Sequence, residues 1–182
     1  ARYIVSTIND TVGELPRLSD DELPAQIHMY NDRITYRRFA IDLPKQVMAK
    51  LKRRNKYDVL IMVMRYCAIV LKSQQWAIPT KLFNVLYNSY GVMFEACASP
   101  ISSNFAHRKR ASYCSMFDCD RPFGSIGNFM DVDMTAPLNG VVMGKVGWIV
   151  HPPYIEHVLM ATTVKILNAL DNAKLTNTNL FI

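Results

Sequence analysis

Apolar positions change their spacing along this chain near residue 91. Before it they recur every three or four residues. Val47, Met48 and Leu51 fall on one helical face after Pro44, and Leu60, Val63, Met64, Cys67 and Leu71 on another, so two amphipathic helices are expected over residues 44–56 and 59–71. Pro79 opens a third, with Leu82, Phe83, Leu86 and Tyr90 on one side and Gly91 as its stop. Proline suits a first helical turn because the N–H it lacks would have no partner there. Upstream, Ser19 followed by Asp20, Asp21 and Glu22 has the form of a helix start, and the charged stretch 31–38 is read as helical as well.

After residue 91 the runs shorten and lose the helical period. Residues 92–97 form an apolar run closed by Ser99-Pro100, residues 113–117 a second run ending at Asp118 and Asp120, and residues 140–150 a third ending at His151-Pro152-Pro153-Tyr154. Helical spacing returns over 155–170, and residues 179–182 begin another strand. This order predicts an α/β core with a largely parallel sheet in residues 91–182, preceded by a helical region in residues 1–90. Runs 92–97 and 140–150 are expected to be adjacent, parallel and buried. A sheet ending in an unfinished apolar strand leaves an open edge, so a further polypeptide segment or chain is expected to complete it.

Composition narrows the class. Of 182 residues half are hydrophobic, enough for a substantial core. Residues 59–71 are too short and carry Arg65, which excludes them as a membrane span. The start of the chain lacks a basic-then-apolar leader, so an intracellular setting, nucleus or cytoplasm, is expected. Cys67, Cys97, Cys114 and Cys119 include no CxxC pair, sit in segments read as buried or strand-like, and are expected as reduced thiols. Four scattered histidines offer no zinc site. The net charge of +6 gathers in runs 50–56 and 107–110. These are either a solvated helix end and loop, or a surface where Lys52, Arg53, Arg54, Arg108, Lys109 and Arg110 hold RNA phosphates.

In an open α/β sheet, ligands bind beyond the carboxyl ends of the strands. The three ends here carry Glu95-Ala96-Cys97-Ala98-Ser99-Pro100, then Asp118 with Asp120, then His151-Pro152-Pro153-Tyr154. A nucleoside cofactor needs an acidic acceptor for its ribose hydroxyls and small residues where backbone approaches it, and both are present. The loop from Phe123 to Phe129, with Gly124, Ser125 and Gly127, either shapes such a pocket or is an ordinary turn. Its spacing is not that of a dinucleotide fingerprint, and it lacks the lysine of a P-loop. The two prolines of the tetrapeptide either end a strand, or stiffen the backbone so that polar groups accept hydrogen bonds from an exocyclic amine while an aromatic ring stacks on the base.

Taken in order, Arg65-Tyr66-Cys67-Ala68, Gln75-Trp76-Ala77-Ile78-Pro79, the run from Tyr90 to Pro100, Tyr113-Cys114-Ser115-Met116-Phe117, Asp118, Asp120 and Phe123-Gly124-Ser125-Ile126-Gly127 resemble the cap-specific adenosine methyltransferases of the phosphorylated-CTD-interacting-factor family. The likeness spans roughly residues 60–182. It implies a Rossmann-like methyltransferase core, incomplete at its C-terminal side, S-adenosylmethionine as cofactor, and the N6-amino group of the adenosine beside the cap of capped RNA as acceptor. Mapped residue by residue, Glu95, Ala96, Ser99, Pro100, Asp118, Asp120, Gly124, Ser125 and Gly127 would hold the cofactor. His151, Pro152, Pro153 and Tyr154 would be the catalytic tetrapeptide.

Two departures bear on activity. The family has asparagine where this chain has His151, and asparagine is expected at Ser102. An amide accepts one amine hydrogen while donating to a fixed partner; a neutral imidazole accepts through one nitrogen only, and a protonated one not at all. The exchange of phenylalanine for Tyr154 is milder, since both rings stack on a base. The chain is therefore expected to be either an active adenosine methyltransferase or a catalytically inactive module serving an RNA-binding or structural role in a larger assembly.

Overall fold

The computed structural model describes residues 26–69, 78–104, 111–135, 145–175 and 179–182. The expected helix start at Ser19 and the basic residues Arg108, Lys109 and Arg110 lie outside them. The chain divides into two compact units between Ile61 and Met62, inside a helix.

In the first unit, β1 (Ile27–Tyr30), β2 (Arg33–Tyr36) and β3 (Phe39–Asp42) form an antiparallel meander joined by two-residue loops. The helical reading of residues 31–38 is thereby corrected. The period over this stretch is two: Ile27 and Ile34 are fully buried, while their neighbours His28 and Arg33 are exposed. Asn31, Asp32, Arg37 and Arg38, polar residues that suggested a solvated helix, occupy the two loops. Two helices follow, α1 (Lys45–Leu51) and α2 (Lys56–Ile69). Val47, Met48 and Leu51 are the buried face of α1. Asn55 caps α2, its side-chain oxygen accepting from the N–H of Tyr57 at 2.8 Å.

The second unit contains the rest of α2, then α3 (Thr80–Tyr90), which runs from Pro79 to a left-handed Gly91 at φ 69°, as its sequence predicts. Its sheet has the order β5 (Ser112–Tyr113), β4 (Val92–Glu95), β6 (Lys145–Ile149), β7 (Asn179–Phe181), and every pair is parallel. The expected adjacency of the strands after residues 91 and 140 is observed directly, with Glu95 opposite Ile149. The run 113–117 is strand only at its start. Helix α4 (Glu156–Leu175) crosses from β6 to β7 and extends beyond its expected end at 170.

A bulge at Met93 sets the packing. Val92 faces Gly147 and Phe94 faces Trp148, so two steps along β4 match one along β6. Without the extra residue Val92 and Phe94 would point the same way. With it, Val92 joins Phe83 of α3 on one sheet face, while Phe94 joins Trp148, Val146 and Ala169 of α4 on the other. Phe94 and Trp148 stack at 4.8 Å between centroids, Phe129 lies 6.0 Å from the indole, and Trp148 Nε1 donates to the Met134 carbonyl at 3.1 Å.

Of the cysteines, Cys114 is buried and Cys97 half-buried, as expected, but Cys67 and Cys119 are exposed; none is in a disulfide. No helix among the described residues is long and apolar enough to cross a membrane.

Truncating Trp148 removes the centre of this cluster and one buried hydrogen bond. Trp148→Ala is expected to cost about 3–5 kcal/mol, measured as a lower urea midpoint with an unchanged slope.

Candidate functional site

Strand order reverses at β4: the chain leaves β4 for β5 on one side and returns to β6 on the other. The carboxyl ends of β4, β5 and β6 therefore lie on one edge of the sheet around the switch point, the place at which open α/β sheets bind ligands. Beyond Glu95 the backbone stays tied to both neighbours, with Ala96 N–H donating to the Ile149 carbonyl at 2.9 Å and Ala98 N–H to that of Cys114 at 3.0 Å.

Glu95 is nearly buried at the mouth of β4, with Ala96 buried behind it. Ser99 and Pro100 are buried in a closed turn: Ser102 Oγ accepts from the Ser99 N–H and Ser99 Oγ from the Ser102 N–H, both at 3.0 Å. Ser102, where asparagine was expected, thus spends its hydroxyl locally. The amide of Asn104 anchors the loop instead, donating to the Ile78 carbonyl at 2.9 Å and accepting from Thr80 at the start of α3.

The two acids after β5 separate. Asp120 is fully buried in the 3-10 helix Asp118–Phe123, where it accepts from Tyr66 Oη at 2.5 Å and pairs with Arg65 at 3.1 Å. Phe117 packs edge-on against Tyr66 and lies under the Arg65 guanidinium, which completes a clamp between α2 and this helix. Burial, then the bond to Asp120, raises the Tyr66 hydroxyl far above the ordinary phenol range. Asp118 has its side chain 83% exposed and, among the described residues, pairs with Arg121 at 3.2 Å. Of the pair, Asp118 is the exposed acid, and Asp120 is the one that holds the structure.

The glycine loop lies along the free edge of β5. Ser125 bridges to Tyr113, Ser115 N–H donates to the Gly127 carbonyl at 3.0 Å, and the hydroxyls of Ser115 and Ser125 are 2.7 Å apart. Gly124 ends the 3-10 helix in the left-handed region. Gly127 has φ 118°, and a Cβ there would meet Arg121 Nη2 at 3.0 Å. Arg121 also donates to the Ile126 carbonyl, so it links Asp118 to this loop. From α4, Lys165 donates to the Met130 carbonyl at 2.9 Å and lies over Phe129. Sequence reasoning missed Asn104, Arg121 and Lys165, because nothing in their local spacing marks the distant partners they meet.

After β6 the tetrapeptide is open to solvent, Tyr154 being 80% exposed. His151 Nε2 lies 3.0 Å from Tyr154 Oη, and the rings meet edge to face at 5.6 Å. One imidazole nitrogen is thus occupied and Nδ1 remains. Lys52, Arg53 and Arg54 are exposed at the end of α1 in the first unit.

This chain matches the family described as the phosphorylated CTD interacting factor 1 WW domain over residues 35–182. It belongs to that family. It is also 35% identical over 88 residues to the human mRNA (2'-O-methyladenosine-N(6)-)-methyltransferase, an alignment covering 48% of this chain and 10% of that protein. The aligned part of this chain therefore spans about a tenth of its human relative's length.

The roles of the two acids are separable by stability. Asp120→Asn, which leaves Arg65 without its buried anion, is expected to cost about 3–5 kcal/mol, whereas Asp118→Asn should change stability by less than about 1 kcal/mol; equilibrium denaturation distinguishes them. Alkaline titration gives a second check. Burial, then the neighbouring Glu95 charge, raises the Cys97 thiol to about 11, and burial, then Cys97, raises Cys114 to about 12, both from an ordinary 9.0. The folded state thus favours the neutral thiols: their contribution is complete below pH 9 and is lost as pH rises through 11 to 12. Stability should fall over that window, and less steeply in Cys114→Ala.

Proposed function

We propose that this chain is part of an S-adenosylmethionine-dependent methyltransferase directed at the N6-amino group of the adenosine beside an mRNA cap. The observation that supports the reading is the parallel order of β5, β4 and β6, with Glu95 ending β4, Asp118 in the segment that follows β5, and the His151-Pro152-Pro153-Tyr154 tetrapeptide following β6. The family and the human relative's printed activity support it. On this reading the core is Rossmann-like, and further polypeptide extends the sheet past β7.

The residues present fit such a cofactor. Asp118 and Glu95 offer carboxylates for hydroxyl groups, and Ala96 and Ala98 are small residues where backbone can approach a ligand closely. When bound, S-adenosylmethionine supplies an activated methyl group to the incoming amine. The chain's own contribution is to hold that amine in line, and alignment provides most of the rate in such a displacement. Pro152 and Pro153 limit the backbone of the tetrapeptide, and Tyr154 offers a ring face to the adenine. If His151 Nε2–H donates to Tyr154 Oη, the Nδ1 lone pair is left to accept an amine hydrogen and orient the nitrogen lone pair toward the methyl group.

The same contact favours a second reading. A hydrogen bond between His151 and Tyr154 holds the tyrosine edge-on to the imidazole, an arrangement that an RNA-binding or structural module retains without cost and a catalyst must open to stack a base.

Calorimetric titration with S-adenosylmethionine tests the first reading. Binding should be measurable and should weaken about 10- to 100-fold in both Glu95→Gln and Asp118→Asn, the loss of one charge-assisted hydrogen bond each. Transfer to capped RNA should survive or rise in His151→Asn. No binding by the wild type, with its fold intact, would assign the chain to the second reading.

A further inference from the structure

Residues 26–61 contain nine Lys and Arg against Asp32, Asp42 and Asp58, a balance of +6 that equals the net charge of all 182 residues. The register of the meander sorts its side chains by face. Ile27, Tyr36 and Phe39 form one inward row, and Met29, Ile34 and Ile41 the next. The outward rows are His28, Thr35, Ala40 and Tyr30, Arg33, Asp42. Tyr30 is 63% exposed, and the rings of His28 and Tyr30 lie within 19° of parallel with centroids 6.0 Å apart. A small antiparallel sheet therefore presents two aligned rings to solvent within the most basic part of the chain.

The loop at the His28 end of the sheet carries a second sign of selection for charge. Arg37 and Arg38 join β2 to β3 just beyond the Ile27–Tyr36–Phe39 row, two residues past the His28–Thr35 row and at the end of the sheet away from Tyr30. Arg37 has φ 51° at the first position of this two-residue loop, a conformation that glycine adopts freely and a side chain resists. Its guanidinium lies 5.5 Å from the Tyr36 ring and remains exposed. Turn chemistry alone would place glycine there. An arginine held against its own preference points to use of its charge.

We propose that the outward face of β1–β3 is a platform for single-stranded RNA, with bases stacked on Tyr30 and His28 and phosphates against Arg37 and Arg38. Aromatic faces bordered by cations are what sequence-tolerant binding of unpaired strands requires, since every base has a face to stack and every linkage a charge to neutralise. The proposal rests on the RNA-directed reading above and gives it a contact surface in the first unit.

Fluorescence anisotropy of the full chain with a short, labelled, uncapped oligoadenylate, over a range of salt concentrations, is the test. Tyr30→Ala should weaken binding about 5- to 100-fold with little change in salt slope, and Tyr30→Trp should restore it. Arg37→Gly should raise Tm, because the turn relaxes, while the slope of log Kd against log salt falls by about 0.7. Wild-type affinity in a natively folded Tyr30→Ala, or an unchanged slope in Arg37→Gly, would overturn the platform. So would a proline-rich peptide that needs Tyr30 while RNA does not, which would assign the face to a protein partner. S-adenosylmethionine binding by the same wild-type sample reports on the strand ends alone, so either reading can fail without the other.

Discussion

The packing of the second unit hangs on one irregular strand pairing. The bulge at Met93 turns Phe94 onto the face of Trp148 while Val92 stays on the face of Phe83, so β4 supplies a core residue to both sides of the sheet within three positions. A central parallel strand must be covered on both faces. Here α3 covers one and α4 the other, and the indole of Trp148, stacked on Phe94 and bonded to Met134, ties the loop 126–134 into the second layer. A one-residue change of register would send Phe94 to the wrong helix.

That arrangement decides what lies beyond the strand ends. With β4 central and bonded on both sides, its exit at Glu95 to Ser99 is held between the ends of β5 and β6. The clamp of Arg65 and Tyr66 on Asp120 then fixes the 3-10 helix after β5 and leaves Asp118 pointing to solvent. A carboxylate that is fully buried and doubly bonded is costly to remove and unavailable for a ligand; one that is exposed contributes little to folding. Two acids two residues apart thus differ in what they do for the fold.

The first unit follows a different economy. Its meander turns one face of apolar side chains inward and leaves aromatic and charged residues outside, and the loop from β2 to β3 carries two cations where turn-forming residues would be more comfortable. Local preference yields to charge at Arg37, as it yields to geometry at Met93, and both departures sit where the fold presents something to the outside or to the site.

The sequence by itself determined the elements whose cause is local. Helix α3 begins after Pro79 and stops at Gly91 because one residue lacks an N–H and the other tolerates positive φ, and the apolar runs of β4 and β6 are too short and too unbroken to be surface helices. The residues at the three strand ends were legible for the same reason. The meander was not: its strands are four residues long, and charged loops interrupt the alternation before a period of two becomes visible. Only the tertiary structure decided that Asp120 is spent on a helix 54 residues earlier, that Asn104 replaces Ser102 as the loop's anchor, and that His151 meets Tyr154. Each depends on which distant groups share a small volume once the sheet is assembled, and a hydrogen bond between residues far apart in sequence leaves no periodic trace in the chain that makes it.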